Sequence, residues 1–304
     1  MSGVTGALGP LFLLILLGAL LGWRRFPGGD FWPAMERLIY FLLFPAMLIS
    51  TLATADVAQV PVIRLAVVLM GAMTLFALVL WCARHRLALA PPAFTSVLQG
   101  TLRFNTYVGV AGAAALHGQA GATVAAVAVA LMVPLANVLC VSGFIAAGTL
   151  GPSSLGRSLA ALLRNPLILA CVIGIALNVT GIGLPGWLGS TVELTGRAAL
   201  PLGLIAVGVA LRPRALAGSG HAFWHSATLK LGATPVVVLA LAWLTGLDPV
   251  SRDIALLFAA LPTATSAYIL ARQLGGDAEL MAALITGQTL LAMVTLPAWM
   301  ALAS

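Results

Sequence analysis

The chain has 304 residues, 61% of them apolar and 8% charged, with a mean hydropathy of +1.09 and a formal net charge of +7. Soluble domains carry about 25% charged residues, so this composition excludes a water-soluble protein and places the chain in a bilayer. The Lys and Arg residues stand singly or in pairs between apolar runs, as topology signals do, which excludes a nucleic-acid partner.

In hydrocarbon every backbone polar group must be satisfied internally, so only helices and closed barrels cross. The apolar runs here have helix length and do not alternate like strands. Turn clusters and charges divide the chain into ten apolar segments near residues 8–23, 31–53, 60–83, 91–117, 119–148, 164–180, 186–211, 220–246, 250–272 and 276–302. The first lacks a basic region before it, and Arg24 and Arg25 follow it, so it reads as a retained helix rather than a cleaved signal. Along the chain, basic residues recur in alternate loops: Arg24 and Arg25, Arg84 and Arg86, Arg157 and Arg164, Arg212 and Arg214, then Arg272. The intervening TADVAQV, HGQAG, TGIGLP and LTGLD stretches have none. The positive-inside rule makes the basic side cytoplasmic and both termini external. Cys82, Cys140 and Cys171 lie in apolar runs without metal or redox spacing and read as packing residues.

An internal repeat organises the ten segments into two halves, residues 1–150 and 151–304. Pro10, Gly18 and Pro45 match Pro166, Gly174 and Pro201, each 156 positions later. Pro27-Gly28 matches Pro185-Gly186, and the HGQA turn matches GGDA, both at an offset of 158. Five helices per copy give the copies opposite orientation, the inverted repeat of many secondary transporters. Such proteins place substrate near the midplane, where interrupted helices expose backbone donors and acceptors. Segments 4 and 9 supply interruptions at equivalent positions. Asn105-Thr106 and Gly109 lie midway along one, and Pro262-Thr263 midway along the other. Proline removes a backbone donor, and asparagine competes with helical hydrogen bonding. A kinked helix whose Asn and Thr bond a neighbour is the alternative for either segment alone.

Arg103, just before the first break, is costly in hydrocarbon and needs a partner or an aqueous cavity. It either attracts an anion or neutralises the negative ends of the half-helices. Segment 5 adds Asn137, three residues after Pro134, and segment 10 adds Thr286, Gln288 and Thr289. The acids avoid the middles of segments 4, 5, 9 and 10, which disfavours a cation site and suits an anion held by neutral donors. Glu36 with Arg37, and Glu193 with Arg197, read as local ion pairs or interface anchors. Lys230, His117, His221 and His225 read as surface or interface residues. No Walker loop, HExxH, GxSxG or catalytic Cys/His pair occurs, so neither an enzyme nor a cofactor is expected.

Six stretches then carry a family resemblance: FLLFPAMLISTL, NTYVG, VPLANV, RNPLILACVIGIALN, LPLGLIAVGVAL and LPTATSAYILARQLGGD. In this order they resemble the auxin efflux carrier family, which includes plant auxin carriers and bacterial malate permeases. The resemblance implies an all-α membrane protein of ten helices in a 5+5 inverted repeat, with crossing, broken helices 4 and 9. It further implies elevator-type movement of helices 3–5 and 8–10 against a scaffold of helices 1, 2, 6 and 7, and a homodimer through that scaffold. By the same resemblance the substrate is a small organic anion, bound in a bacterial inner membrane protein at the crossover of Asn105 and Pro262. Thr263 departs from the Asn common in plant members, and the cytoplasmic loop is short, about GTLGPSSLGRSLAALLR. A sodium- or proton-coupled symporter of the bile-acid carrier type and a non-transporting membrane receptor are the competing readings.

Overall fold

The computed structural model describes residues 2–55, 59–149 and 165–303. Arg157, Arg164 and the boundary between the two halves at residues 150 and 151 lie outside the described residues. Among the described residues the secondary structure is helical and contains no strand. Helix α1 is Ser2–Trp23, and α2 (Phe31–Leu38) continues through a π turn at Ile39–Leu43 into α3 (Phe44–Thr54). Then come α4 (Val62–Ala83), α5 (Pro91–Leu102) and α6 (Thr106–Ala146). The second part holds α7 (Pro166–Val179), α8 (Gly186–Arg197) and α9 (Ala199–Val209). It continues with α10 (Gly220–Thr228), a π turn at Leu229–Ala233, and α11 (Thr234–Thr245). The last helices are α12 (Pro249–Ala260), α13 (Ser266–Leu274) and α14 (Ala278–Ala303).

Seven stretches among the described residues are long and apolar enough to cross a membrane, and the 14-residue α7 is a shorter apolar helix. One of the seven, Pro91–Ala146, has 56 residues, nearly three times the roughly 20 that a 30 Å hydrocarbon layer needs at 1.5 Å per residue. It is divided at Arg103–Asn105 and again at His117 and Gly118, where the backbone leaves helical geometry and Gly118 takes φ 56°. Segment 9 is absent from the seven because its two pieces, α12 and α13, have 12 and 9 residues.

Helix ends are set by local chemistry. Pro91, Pro166 and Pro249 occupy first helical positions, where a missing N–H costs nothing. Asn165 and Asp248 cap their helices by accepting from Leu167 N and Ser251 N, at 2.9 and 3.0 Å. Asp277 caps α14 through Leu280 N at 2.9 Å. Two of the acids that the sequence places outside the segment middles thus serve as helix caps. Arg197 and Glu193 form the expected local ion pair, 2.7 Å apart on an exposed face.

Lipid tails are as apolar as Leu, so helices associate here through close packing, which small residues permit. Helix α1 packs most extensively on α9, and α3 on α7. A Cβ at Gly18 of α1 would lie 2.0 Å from the Ile205 carbonyl oxygen. A Cβ at Gly174 of α7 would lie 3.3 Å from the Ile49 carbonyl oxygen and 2.8 Å from Leu52 Cβ. Gly18 and Gly174 are 156 positions apart, and so are Ile49 and Ile205. The same contact is made twice, with the two halves exchanging roles. A large apolar core joins both halves. A second one draws only on segments 3, 4, 5, 8, 9 and 10, with Phe76, Leu98, Cys140, Phe223, Ala267 and Leu284 among its members.

Gly18→Ala should force α1 from α9 and destabilise the protein by roughly 1–3 kcal/mol. Gly71→Ala, at a helical site with open space, should be neutral or stabilising by about 0.5–1 kcal/mol. Thermal unfolding of the two variants in detergent checks the contrast.

Candidate functional site

The two interrupted segments meet at their breaks. Leu261 precedes Pro262, and the proline ring drives the preceding residue out of the helical region. Leu261 is accordingly extended, at φ −64° and ψ 146°, and α12 ends at Ala260. In segment 4, Arg103 and Asn105 are extended, with ψ of 156° and 99°. Asn105 restarts the helix as the cap of α6, its Oδ1 accepting from Val108 N at 3.3 Å. The Asn105 backbone N–H donates to the Pro262 carbonyl at 2.9 Å. This bond ties the two breaks together. Gly109 lets the helices approach, since a Cβ there would come within 2.8 Å of Leu261 Cδ1.

Side chains around this bond fall into two groups. On one side a sealed network fixes the crossing. Gln288 Oε1 accepts from Thr263 N at 3.0 Å, while Gln288 Nε2 donates to the Gly100 carbonyl at 3.1 Å and to Ser226 Oγ at 3.0 Å. Thr263 Oγ1 donates to the Gln99 carbonyl at 3.4 Å, and Thr101 Oγ1 lies 3.3 Å from Ser226 Oγ. Thr263 and Gln288 are both 0% exposed. Thr286 and Thr289 bond back to the Ala282 and Ile285 carbonyls of their own helix.

On the other side the polar groups are partly open. The Arg103 guanidinium donates to Asn137 Oδ1, lies 3.3 Å from Ser266 Oγ and reaches Cys140. Thr106 and Tyr107 open the first turn of α6, and Tyr107 packs edge-on against Phe44 at 5.0 Å. Tyr40 hydrogen-bonds Asn165 and lies beside Arg103, and half-buried Glu36 lies near Tyr107. This face therefore collects residues from α2, the first π turn, the break after α5, α6 and α13. Four buried side-chain atoms at the crossover have no hydrogen-bond partner: Asn105 Nδ2, Arg103 Nε, Gln99 Nε2 and Gln99 Oε1. A buried polar atom left unpaired costs about 1–3 kcal/mol. Three of the four are donors.

The structure thus brings Arg103, Asn105, Thr106, Asn137, Pro262, Thr263 and Gln288 to one crossover, with Thr263 and Gln288 on its sealed side and Arg103 with Asn137 on its open side. Gln99, Ser226 and Tyr40 are not singled out by the sequence, since nothing in their local sequence distinguishes them from other polar residues on membrane helices, and Tyr107 enters only as part of NTYVG. Lys230 corrects an expectation. It is not a surface residue but 2% exposed, at the second π turn. His117 pairs with Asp253 at 3.1 Å.

Discontinuous helices that meet within a membrane protein are a feature of many transporters. Comparison with known proteins agrees. The family described as membrane transport protein matches residues 153–300. A curated protein of Rhizobium meliloti (strain 1021), named "Putative malonate transporter", is 27% identical over 316 residues, covering 97% of this chain and 94% of that protein. The chain is a transporter and not an enzyme. Over residues 153–300 it is similar to this membrane transport protein family.

Gln288→Leu removes the partners of Thr263 N, Gly100 O and Ser226 Oγ together. The expected loss is about 1–3 kcal/mol for each group left unpaired, read as a lowered unfolding temperature. Thr289→Val, which removes only a local bond, should cost less than about 1.5 kcal/mol.

Proposed function

We propose that the chain carries a small organic anion across the bacterial inner membrane, with a carboxylate held on the open side of the crossover by Arg103, Asn105, Thr106 and Asn137. The observation that carries this reading is the set of buried donors without partners, Asn105 Nδ2 and Arg103 Nε, beside the first turn of α6. A carboxylate would satisfy them, and the positive ends of α6 and α13 favour a negative charge at the same place. Arg103 supplies the charge and Asn137 orients it. Thr263, Gln288 and Pro262 hold the crossing together and set the position of the donors. The relative's name makes malonate the first candidate substrate.

In this reading the ten segments are ten transmembrane helices in a 5+5 inverted repeat, with helices 1, 2, 6 and 7 as scaffold. The exchanged Gly18–Ile205 and Gly174–Ile49 contacts support the repeat. Helices 3–5 and 8–10 move as one body against the scaffold, and the separate apolar core confined to those segments supports that division. Both termini lie outside. Exposed apolar residues on α7 and α8, including Val179, Trp187 and Leu194, give the scaffold a face for lipid or for a second copy in a homodimer.

Uptake of mono- and dicarboxylates into proteoliposomes, with and without proton and sodium gradients, tests the reading. Malonate or a related short carboxylate should accumulate. Loss of a charge-assisted hydrogen bond costs about 1.5–3 kcal/mol, so Arg103→Gln and Asn105→Ala should each weaken carboxylate binding about 10- to 100-fold. Wild-type affinity in both variants would move the site elsewhere. Ligand binding without flux would favour a receptor, and strict sodium dependence a symporter of the bile-acid carrier type.

A further inference from the structure

Outside the open face, the most unusual group in the molecule is Lys230. It lies near the middle of the apolar stretch Gly220–Thr245 and on the π turn Leu229–Ala233, a helix defect frequent at functional sites. A charge in a membrane interior is costly unless it faces a partner or a cavity. Lys230 lines a cavity of about 10 Å³, close to the space of one water or small ion. The other polar residues lining it are Thr101 and Thr234, and the rest are apolar.

The cavity is positioned by the crossover. Thr101 and Leu102 are the last two residues of α5, and Phe258 and Ala259 belong to the last turn of α12; all four line it. Both half-helices therefore end there; in α5 the Gln99 and Gly100 carbonyls are met by Thr263 and Gln288, which leaves those of Thr101 and Leu102, with the last carbonyls of α12, without an intrahelical donor. A helix C-terminus carries roughly half a negative charge, so the two together present about one. One ammonium balances them.

Among the described residues no acid competes for that role. The elements packed on the π turn are α5, α10, α11, α12 and α14. Their titratable residues are His221 and His225 on α10, Arg252 and Asp253 at the start of α12, and Glu279 at the start of α14. None lines the cavity, nor do Arg64 and Cys82 of α4 or His117 and Cys140 of α6. Asp253 is engaged by His117 and Arg252 at 3.1 and 3.4 Å. Lys230 has no carboxylate partner among the described residues.

We propose that the Lys230 ammonium is a built-in cation for the crossover, occupying the point where the carbonyl ends of α5 and α12 converge and making a bound sodium ion unnecessary. The inference rests on the crossover being the transport site, and it deepens that reading by assigning its cation dependence. Arg103 then remains free to serve the anion on the opposite face, because Lys230 already balances the helix ends.

The test uses the full chain and a readout that needs no substrate. Thermal unfolding of purified wild type should be the same in sodium, potassium and choline chloride. Lys230→Met keeps the stem and removes the charge; Lys230→Ala also opens the cavity. Each variant should unfold about 5 °C lower than wild type in choline chloride. Sodium or methylammonium chloride should restore at least half of that shift in Lys230→Ala. In proteoliposomes, uptake of whichever carboxylate the wild type transports should fall about tenfold in both variants and become cation-dependent in Lys230→Ala. The proposal is overturned if Lys230→Met matches wild type in stability and uptake without cation dependence, since apolar replacement of a merely structural buried charge is often neutral. It is also overturned if no cation restores Lys230→Ala. Failure of every carboxylate to be transported would count against the substrate reading and leave the unfolding comparison intact as the test of Lys230.

Discussion

A single backbone hydrogen bond, from Asn105 N–H to the Pro262 carbonyl, expresses the constraint on which the rest of this molecule depends. Breaking a helix inside a membrane strands donors and acceptors that no water is present to satisfy. Two breaks placed against each other solve part of that problem. The sealed network of Gln288, Thr263 and Ser226 with the α5 carbonyls of Gln99 and Gly100 solves another part. In the proposed reading, what a ligand uses is the pair of donors left unsatisfied beside the first turn of α6, Asn105 Nδ2 and Arg103 Nε. In the same proposed reading, structure and function divide the same set of polar groups, and the division follows which face of the crossing each group occupies.

The arrangement also explains why charges are so sparse and so specifically placed. Asp248 and Asp277 are spent on helix caps, and Asp253 is held by His117 and Arg252. The polar centre of the protein keeps two cations, Arg103 and Lys230, with half-buried Glu36 near Tyr107 at the edge of the open face. A centre of that composition suits an anion, because fixed positive charge and helix N-termini reinforce one another there.

Much of this is legible in the sequence, for identifiable reasons. Proline restricts its predecessor and asparagine caps helices, so Pro262 and Asn105 announce the breaks from local chemistry alone. The 156-residue offset joins Gly18 to Gly174, and the structure shows both as close-approach points. The sequence misplaces Lys230 because a lysine in an apolar run usually snorkels to the interface, and only the packing of α5 and α12 around it reveals a cavity. Gln99 and Ser226 escape notice for a similar reason: hydrogen bonding between distant helices leaves no spacing pattern along either one. The separation of sealed from open faces is likewise a property of the crossing, which neither segment contains by itself.

The exchanged helix contacts have a consequence for how the chain assembles. Helix α1 finds its main partner in α9, α3 finds its own in α7, and Asn105 waits for a carbonyl 157 residues later. Contacts of such long sequence separation delay ordering, because the intervening chain must be closed before they form. The first five segments therefore leave the ribosome with their tightest-packing faces uncovered and one break unpaired. They can enter the bilayer one by one, but they acquire their final arrangement only after residue 262 has joined them. Each half is, in effect, the template on which the other finishes folding.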